Sequence, residues 1–554
     1  MDTFSIKKIL KKFKLKDYPS PSWDEILKNH KKDFEIIKKK ANGKKILIST
    51  STGGHLCASH FESLLAVALT YYGAKVEILL CDKILPACMM TTSHNVSEDI
   101  FANKGPDKMC SSCLDSGKFS FLDLGLKVHY FSEYINLSEK KEIIDFIKTK
   151  NFEDLKKLKI DDINVGEHAL AGALRYYAVG NLDNEKKREI ILKRYFEAGL
   201  VTKKIITNFY EKNPDFETTV LNHGIYIPQG IINSVSKKFN KKIVTYALGY
   251  RKNTFIFSHD DTYHLTMMYE PTKYWENLNI TPKINKKLMD YLDSRSLGSQ
   301  DWIYYFKKPN YDVKKKLLDY GINLNKPIVG MLTNIIWDAN LIYPDNIFSN
   351  MMEWIFETID FFKKNNHIQL VIRTHPAEVN SDRVSKQKVK DEIIEKYGKL
   401  PNNIFVIGPE DPLSTYVFAK ICDQLIIYAT KMGMEFTPKG IHVICAGESY
   451  IRNKGITNDP KSKKEYFELL EKIPFKEQVN NLIIERAKRY AYHFFFRRSI
   501  AIEALTSSKS NWPPFTIKPN VINILAENKD KSLKQICDSI INDKPFIYTD
   551  ENYV

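Results

Sequence analysis

Residues 370–378 read Leu370-Val-Ile-Arg-Thr-His-Pro-Ala-Glu378, and about fifty residues on comes Asp423-Gln-Leu-Ile-Ile-Tyr-Ala-Thr-Lys-Met-Gly-Met-Glu435. Each is a short, apolar, β-branched run that stops abruptly in polar residues, as a buried parallel strand does. The first spans Gln369 to Ile372 and meets Arg373, Thr374 and His375 before Pro376. The second spans Gln424 to Tyr428 and meets Ala429, Thr430 and Lys431 before a helix expected from Met432. In an open α/β sheet the ligand sits in the crevice beyond the carboxyl ends of the strands. Cations there, beside the free N–H groups of a helix start, suit a phosphate. Arg373, His375, Thr430 and Lys431 therefore compose a candidate phosphate site. The plainer reading, that His375-Pro376 only punctuates a strand, stays open, because Pro marks many turns.

At 554 residues the chain is too long for one core, and two domains are the natural expectation. A hydrophobic content of 43%, with 12% aromatic, is enough to fold both. Lys and Arg number 83 against 67 acids, a formal charge of +16. Runs such as Lys38–Lys40 and Lys314–Lys316 put much of that charge on solvated helix faces. The remainder favours anionic partners, nucleotides or acidic lipid, and no nucleic-acid module is present. No apolar run reaches the roughly 18 residues of a membrane span, and the charged N-terminus lacks a secretory core. The expected compartment is the cytoplasm, where the eight cysteines stay reduced.

From the N-terminus, Phe4, Ile6, Ile9, Leu10, Phe13 and Leu15 alternate with six lysines through Lys16. That is a basic amphipathic helix, fit either for an anionic membrane face or for packing on the domain behind it. Lys45-Ile-Leu-Ile-Ser-Thr-Ser-Thr-Gly-Gly-His-Leu56 begins a β-α-β unit, with a helix to Tyr72 and a strand from Ala74 to Leu80. Gly53 and Gly54 allow a tight turn, without the dinucleotide pattern G-x-G-x-x-G. Cys81, Cys88, Cys110 and Cys113 follow. Four soft ligands suit a structural zinc, yet the spacing between Cys81 and Cys88 is unusual and these thiols also read as core. Residues 138–212 are mainly helical, with Glu167 and His168 ahead of a small-residue helix. A strand from Thr218 ends in Asn222-His223-Gly224, and another runs from Lys242 to Ala247. Tyr250 to His264 reads as an aromatic, polar loop carrying Arg251, Asp260 and Asp261. After a connection near 305–325, Pro327 to Leu332 is a strand followed by the loop Thr333-Asn-Ile-Ile-Trp-Asp-Ala-Asn340. The strand Ile441 to Cys445 and the loop Ala446 to Thr457 complete the alternation.

With these residues in place, the second half resembles the capsule polysaccharide biosynthesis proteins, which include the capsular Kdo transferases. The likeness rests on His375-Pro376, the turn Tyr428-Ala-Thr-Lys431, Glu435 on the next helix, and Tyr450-Ile-Arg-Asn-Lys-Gly-Ile-Thr457. It covers about 325–460. Ala429-Thr430 replaces the family's serine pair, and the Tyr450 loop has longer spacing. Glycerophosphotransferases that use CDP-glycerol, and bacterial sialyltransferases, look similar around His-Pro, so the resemblance implies a cytidine-type donor. It also implies an α/β, GT-B-like architecture of two Rossmann-like domains facing a central cleft.

The expected organisation is a basic helical segment (1–42), a Rossmann-like acceptor domain with helical insert and cysteine cluster (43–310), a nucleotide-sugar donor domain (320–478) and a C-terminal helix and tail (479–554). The expected activity is metal-independent transfer of a hexosyl or Kdo-type sugar from a nucleotide-activated donor to a capsule or other cell-surface glycan. Alternatives are a non-catalytic capsule assembly protein and a sugar-nucleotide epimerase. Expected partners are the donor, a glycan or lipid-linked acceptor and the anionic inner face of the cytoplasmic membrane; the only expected metal is the structural zinc. Departing phosphate needs positioned donors and cations, a part given to Arg373, His375, Pro376, Thr430 and Lys431. Asp338, Glu435, Lys454 and Thr457 join them on the donor side; Glu435 is equally a helix-start acid favoured by the dipole. A base on the acceptor hydroxyl comes from His223, Asp260, Asp261 or Glu167. Asp260-Asp261 could instead bind a divalent metal. Gly53, Gly54, His55 and Arg251 are expected at the acceptor.

Overall fold

The computed structural model describes residues 22–305, 309–338, 346–508 and 512–549. The basic segment expected over Met1–Lys16 lies outside them.

Lys45–Ser51 (β1) is apolar on both faces, and alternate residues enter different cores: Ile46 and Ile48 pack with Phe61 and Val220, while Leu47 packs with Leu79 and Leu221. Lys75–Leu80 (β2), Lys127–Tyr130 (β3), Thr218–Asn222 (β4) and Lys242–Leu248 (β5) join β1 in a parallel sheet. Thr254–His259 (β6) adds antiparallel, with Leu248 opposite Phe255 and Val244 opposite His259. The aromatic loop expected from Tyr250 to His264 therefore holds a strand. Thr254-Phe-Ile-Phe-Ser is buried on both faces, so it lacks the polar alternation that would have revealed it.

Ile328–Leu332 (β7), Gln369–Arg373 (β8), Ile404–Ile407 (β9), Gln424–Ile427 (β10) and His442–Cys445 (β11) form a second, wholly parallel sheet. Here too parity divides the cores: Val371, Leu425 and Ile427 go to one, Leu370, Ile372 and Ile426 to the other. The orders are β3-β2-β1-β4-β5 in the first sheet and β9-β8-β7-β10-β11 in the second, the same Rossmann-like sequence of steps. Each order reverses once, between β1 and β4 and between β7 and β10. Crevices consequently open over the ends of those strands.

The helix Asn481–Tyr492 runs through a π turn, His493–Arg498, into Ser499–Ala501 (β12). That strand pairs antiparallel with β6 and closes the edge of the first sheet. Ile502, Phe515, Leu533, Ile536 and Phe546 then pack in the first core. The segment expected to be a terminal tail is thus part of the N-terminal half. In exchange, Met267, Trp275, Leu288 and Tyr291, which precede the connection expected near 305–325, and Leu317 within it pack against the second sheet.

This packing makes residues 499–549 indispensable. Each fully buried Leu, Ile or Phe contributes about 1.5–3 kcal/mol, so the loss of five is comparable to the whole stability of an ordinary domain. Truncation after Arg498 will give insoluble protein or protein without a cooperative thermal transition. A soluble truncated chain that melts within a few degrees of the full chain would contradict it.

Candidate active site

The carboxyl edges of the two sheets line one cleft of about 940 Å³. His223, Tyr250 and His264 come to it from the first half, and Asp338, His375 and Lys431 from the second. A smaller cavity of about 200 Å³ adjoins it, walled by Trp302, Tyr305, Leu413, Tyr416 and Met432. His375, Thr430 and Lys431 line both, so they stand where the aromatic slot opens into the cleft.

At the end of β8, Arg373 is 1% exposed and turned inward. Its Nη2 donates to Asp411 O at 2.9 Å, Nη1 to Gly408 O, and Nε to Thr415 Oγ1 at 3.3 Å. It fastens the loop after β9, which corrects its expected place on a phosphate. His375 is the residue that faces outward. Its backbone N–H donates to Thr333 Oγ1 at 3.1 Å, and its Nδ1 accepts from Ala377 N at 3.2 Å. With Nδ1 an acceptor, the ring proton sits on Nε2. Burial, then Lys431 and Arg373, push the imidazole down to about 3, so it is a neutral donor at physiological pH. Pro376 opens the short turn Pro376–Glu378 that this capping bond holds.

At the end of β10, Ala429 N donates to Asn334 Oδ1 at 3.2 Å, and Thr430 Oγ1 accepts from Met432 N at 3.5 Å. Lys431 Nζ lies 4.5 Å above the Tyr250 ring and 3.7 Å from Glu435 Oε1. Glu435 is buried, and its Oε2 accepts from Arg295 Nε at 2.8 Å. It positions Lys431 instead of contacting a ribose. Lys454 also departs from expectation: it is buried, with Nζ donating to Met268 O at 2.9 Å. Thr457 donates to Asp459 Oδ1 at 2.6 Å. Neither borders the cleft; from that loop Tyr450 does, stacked on Phe494 at 5.2 Å.

Asp338 joins the halves. Tyr226 OH donates to its Oδ1 at 2.8 Å, and Arg175 Nη1 lies 3.7 Å away. Its carboxyl, crowded among protein atoms yet open to the cleft on one side, is held below the usual range because Arg175 and the Tyr226 bond outweigh desolvation. Next to it, His223 sits in the left-handed region (φ 64°), with its N–H donating to Tyr246 O at 2.8 Å. Its ring centre is 6.3 Å from that of His264. Burial pushes His223 and His55 down to about 4 and His264 to about 3.

Other expected residues lie elsewhere. A Cβ on Gly53 would fall 2.4 Å from Gly117 Cα, and Gly54 N donates to Cys113 Sγ at 3.1 Å. The double glycine admits the helix Asp107–Phe121, not an acceptor. Arg251 donates to Phe495 O at 2.7 Å and Ser499 O at 3.1 Å, which secures the returning C-terminal segment. Asp260 and Asp261 follow β6 at the level of Ile243, and Asp261 pairs with Lys237 at 2.8 Å. Antiparallel β6 runs away from the cleft edge, so neither lines it. Glu167 is exposed at the opposite end of its helix from Arg175. Cys81, Cys88, Cys110 and Cys113 are free thiols; burial pushes Cys81 up to about 11 and Cys88 and Cys113 to about 12. Among the described residues no group of three or more His, Cys, Asp or Glu is arranged to hold a metal ion. No described helix is long and apolar enough to cross a membrane. Sequence reading missed His264, Arg175 and Arg383. A cation in the last turn of a small-residue helix was the one available signal for Arg175.

No protein-family model matches the chain, and no curated protein matches it. Solved structures do. The beta Kdo 2,4 transferase KpsC of Thermosulfurimonas dismutans is 12% identical over 50% of this chain and 79% of its own, with a TM-score of 0.32. A UDP-GlcNAc 2-epimerase from Neisseria meningitidis is 11% identical over 80% of this chain and 98% of its own, at 0.24. The spinosyn rhamnosyltransferase SpnG is 8% identical over 91% and 96%, at 0.23.

Proposed function

We propose that this chain is a glycosyltransferase that takes a sugar from a cytidine-type nucleotide donor and adds it to a capsule or other cell-surface glycan. The observation that carries the reading is the place of His375, Thr430 and Lys431 at the junction of two cavities. A nucleotide fits that geometry: its base in the aromatic slot, its phosphate at the junction and its sugar in the cleft. Lys431 supplies charge, while the Nε2–H of His375 and the Thr430 hydroxyl supply hydrogen bonds to phosphate oxygen as negative charge grows on it. Both face phosphate without a change of protonation. On the far wall, His223 is neutral, the state in which it can take the proton of an attacking hydroxyl, and Asp338 is the carboxylate that would steady the resulting imidazolium.

The reading is tested by incubating the protein with CMP- and UDP-linked sugars and following free nucleotide. Slow donor hydrolysis, accelerated by an acceptor glycan, is expected. Isomerised sugar would mark an epimerase, and an unchanged nucleotide pool a non-catalytic protein.

Two outcomes follow from the geometry. His375→Ala will melt within a few degrees of the parent and lose turnover by about 10²–10³-fold, the usual effect of removing one oxyanion donor. Lys431→Ala will lower kcat/KM for the donor by about 2–5 kcal/mol in free-energy terms, because a partly buried charged contact is lost. Full activity in either variant would exclude the phosphate assignment.

The buried imidazoles also set a pH dependence. His55, His223, His264 and His375 titrate at about 3 to 4 in the folded chain, against about 6.5 unfolded. Between those values the unfolded chain binds more protons, so stability falls as pH drops from 6.5 toward 4, by at most about 1.4 kcal/mol per pH unit per group. Thermal unfolding at pH 7 and 4.5 will show this loss, and His264→Phe will show less of it. Equal losses in both proteins would remove His264 from the set.

A further inference from the structure

Beside Asp338 is a group of cations that transfer at His375 and Lys431 does not use. Arg175, in the last turn of the helix Val165–Tyr177, lies 4.5 Å over the Tyr226 ring and 5.9 Å from Trp337. Arg383, from the bend before the helix Val389–Tyr397, lies 5.4 Å from the same tryptophan. His55 follows the β1 turn. These residues sense one another: burial, then Arg175 and Arg383, depress His55, and burial, then Arg175, brings Arg383 down to about 10.

Arg175 Nε, Arg383 Nε and His55 Nδ1 are all buried with no hydrogen-bond partner among the described residues. Nearly every buried polar atom in a folded protein has one, and each exception needs a cause. Two guanidiniums within 6 Å of one indole also repel. Asp338 compensates one positive charge, and contact with an aromatic face softens the other without accepting its N–H. A well-packed core has no reason to keep such a group. A ligand oxyanion supplies both missing features, a negative charge and acceptor oxygens in the plane of the guanidinium forks.

We propose that Arg175, Arg383 and His55 form a second oxyanion site, which takes the carboxylate or phosphate of an acidic acceptor. His55 and Arg175 belong to the first half, opposite the strand ends that hold the donor phosphate. The inference rests on the transferase reading only for calling the ligand an acceptor; the oxyanion site itself does not depend on it.

The test uses the full chain saturated with CMP, titrated with D-glucuronate, D-glucose 6-phosphate and D-glucose, with binding followed by ligand-observed NMR. At least one of the two anions will bind at least tenfold more tightly than glucose, and which one does so separates carboxylate from phosphate. Arg383→Gln and Arg175→Gln will each lose that preference at least tenfold and keep CMP affinity within about twofold, and Arg383→Gln will melt no lower than the parent, because a repulsion is removed. Glucose binding as tightly as both anions, no binding of either anion at millimolar concentration, or an unchanged preference in both variants would overturn the site. So would a large fall in Tm in both variants, which would make the arginines structural. If CMP fails to bind while an anion binds in an Arg383-dependent way, the donor reading fails and this site stands.

Discussion

Arg295 and Glu435 form the contact on which the site depends. Both side chains are almost wholly buried, 2.8 Å apart, and Arg295 reaches Asp301 at 2.7 Å and the Tyr291 hydroxyl at 2.6 Å. A buried ion pair adds little net stability, but loss of one partner strands the other charge at a cost of about 3–5 kcal/mol. That asymmetry makes the pair a positional constraint. It pins the short helix after β10 to the segment that leads out of the first half. The remaining oxygen of Glu435 then fixes the reach of Lys431, which in turn rests on Tyr250. Strand end, helix start and the opposite half are set by one carboxylate.

Around that constraint, the cleft uses its polar groups in two different ways. At rest the histidines are kept neutral near neutral pH by burial and by neighbouring cations, which leaves them available as directional donors and acceptors. At the junction the permanent charge is Lys431, and beside Asp338 two arginines, Arg175 and Arg383, bring further positive charge. Fixed charges of this kind would hold an anion without needing to titrate. Selectivity would then come from where the charges are fixed, and hence from the packing behind them.

Periodicity and strand punctuation were enough to read the five strands of the second sheet and four of the first. The parallel strands that were read are continuous apolar runs ended by polar residues. Three strands of the first sheet were not read: β3 and β12 are only four and three residues long, and in β6 Thr254 to Ser258 is buried on both faces and carries no alternation. The site was legible at His375, Thr430 and Lys431 because these end strands that the sequence marks clearly. It was not legible at Arg373, Glu435 and Lys454. There, residue type suggests a ligand, but orientation, which no local pattern encodes, turns the group inward to a carbonyl or a partner. Arg383 was invisible for the opposite reason. It sits in a polar bend with no periodicity, and only the third dimension brings it to Arg175. Of the residues that the resemblance named, His375, Thr430 and Lys431 face the cleft, and in the Tyr450 loop Tyr450 itself does while Lys454 and Thr457 do not.

The return of the chain to its first sheet through β12 also bears on how the protein is made. Synthesis runs from the N-terminus at about 5–20 residues per second, and domains ordinarily fold as they emerge. Here the first half has its central strands early, but its β6 edge and one face of its core stay open until residues 499–549 leave the ribosome. The second half, whose strands are contiguous in the chain, is complete before that. The nascent protein therefore carries an unpaired strand edge, and the sides of Phe255 and Phe257 that later meet Phe515 and Phe546 stay uncovered, through the whole translation of the second half. In the cell, that interval is when chaperone binding matters most.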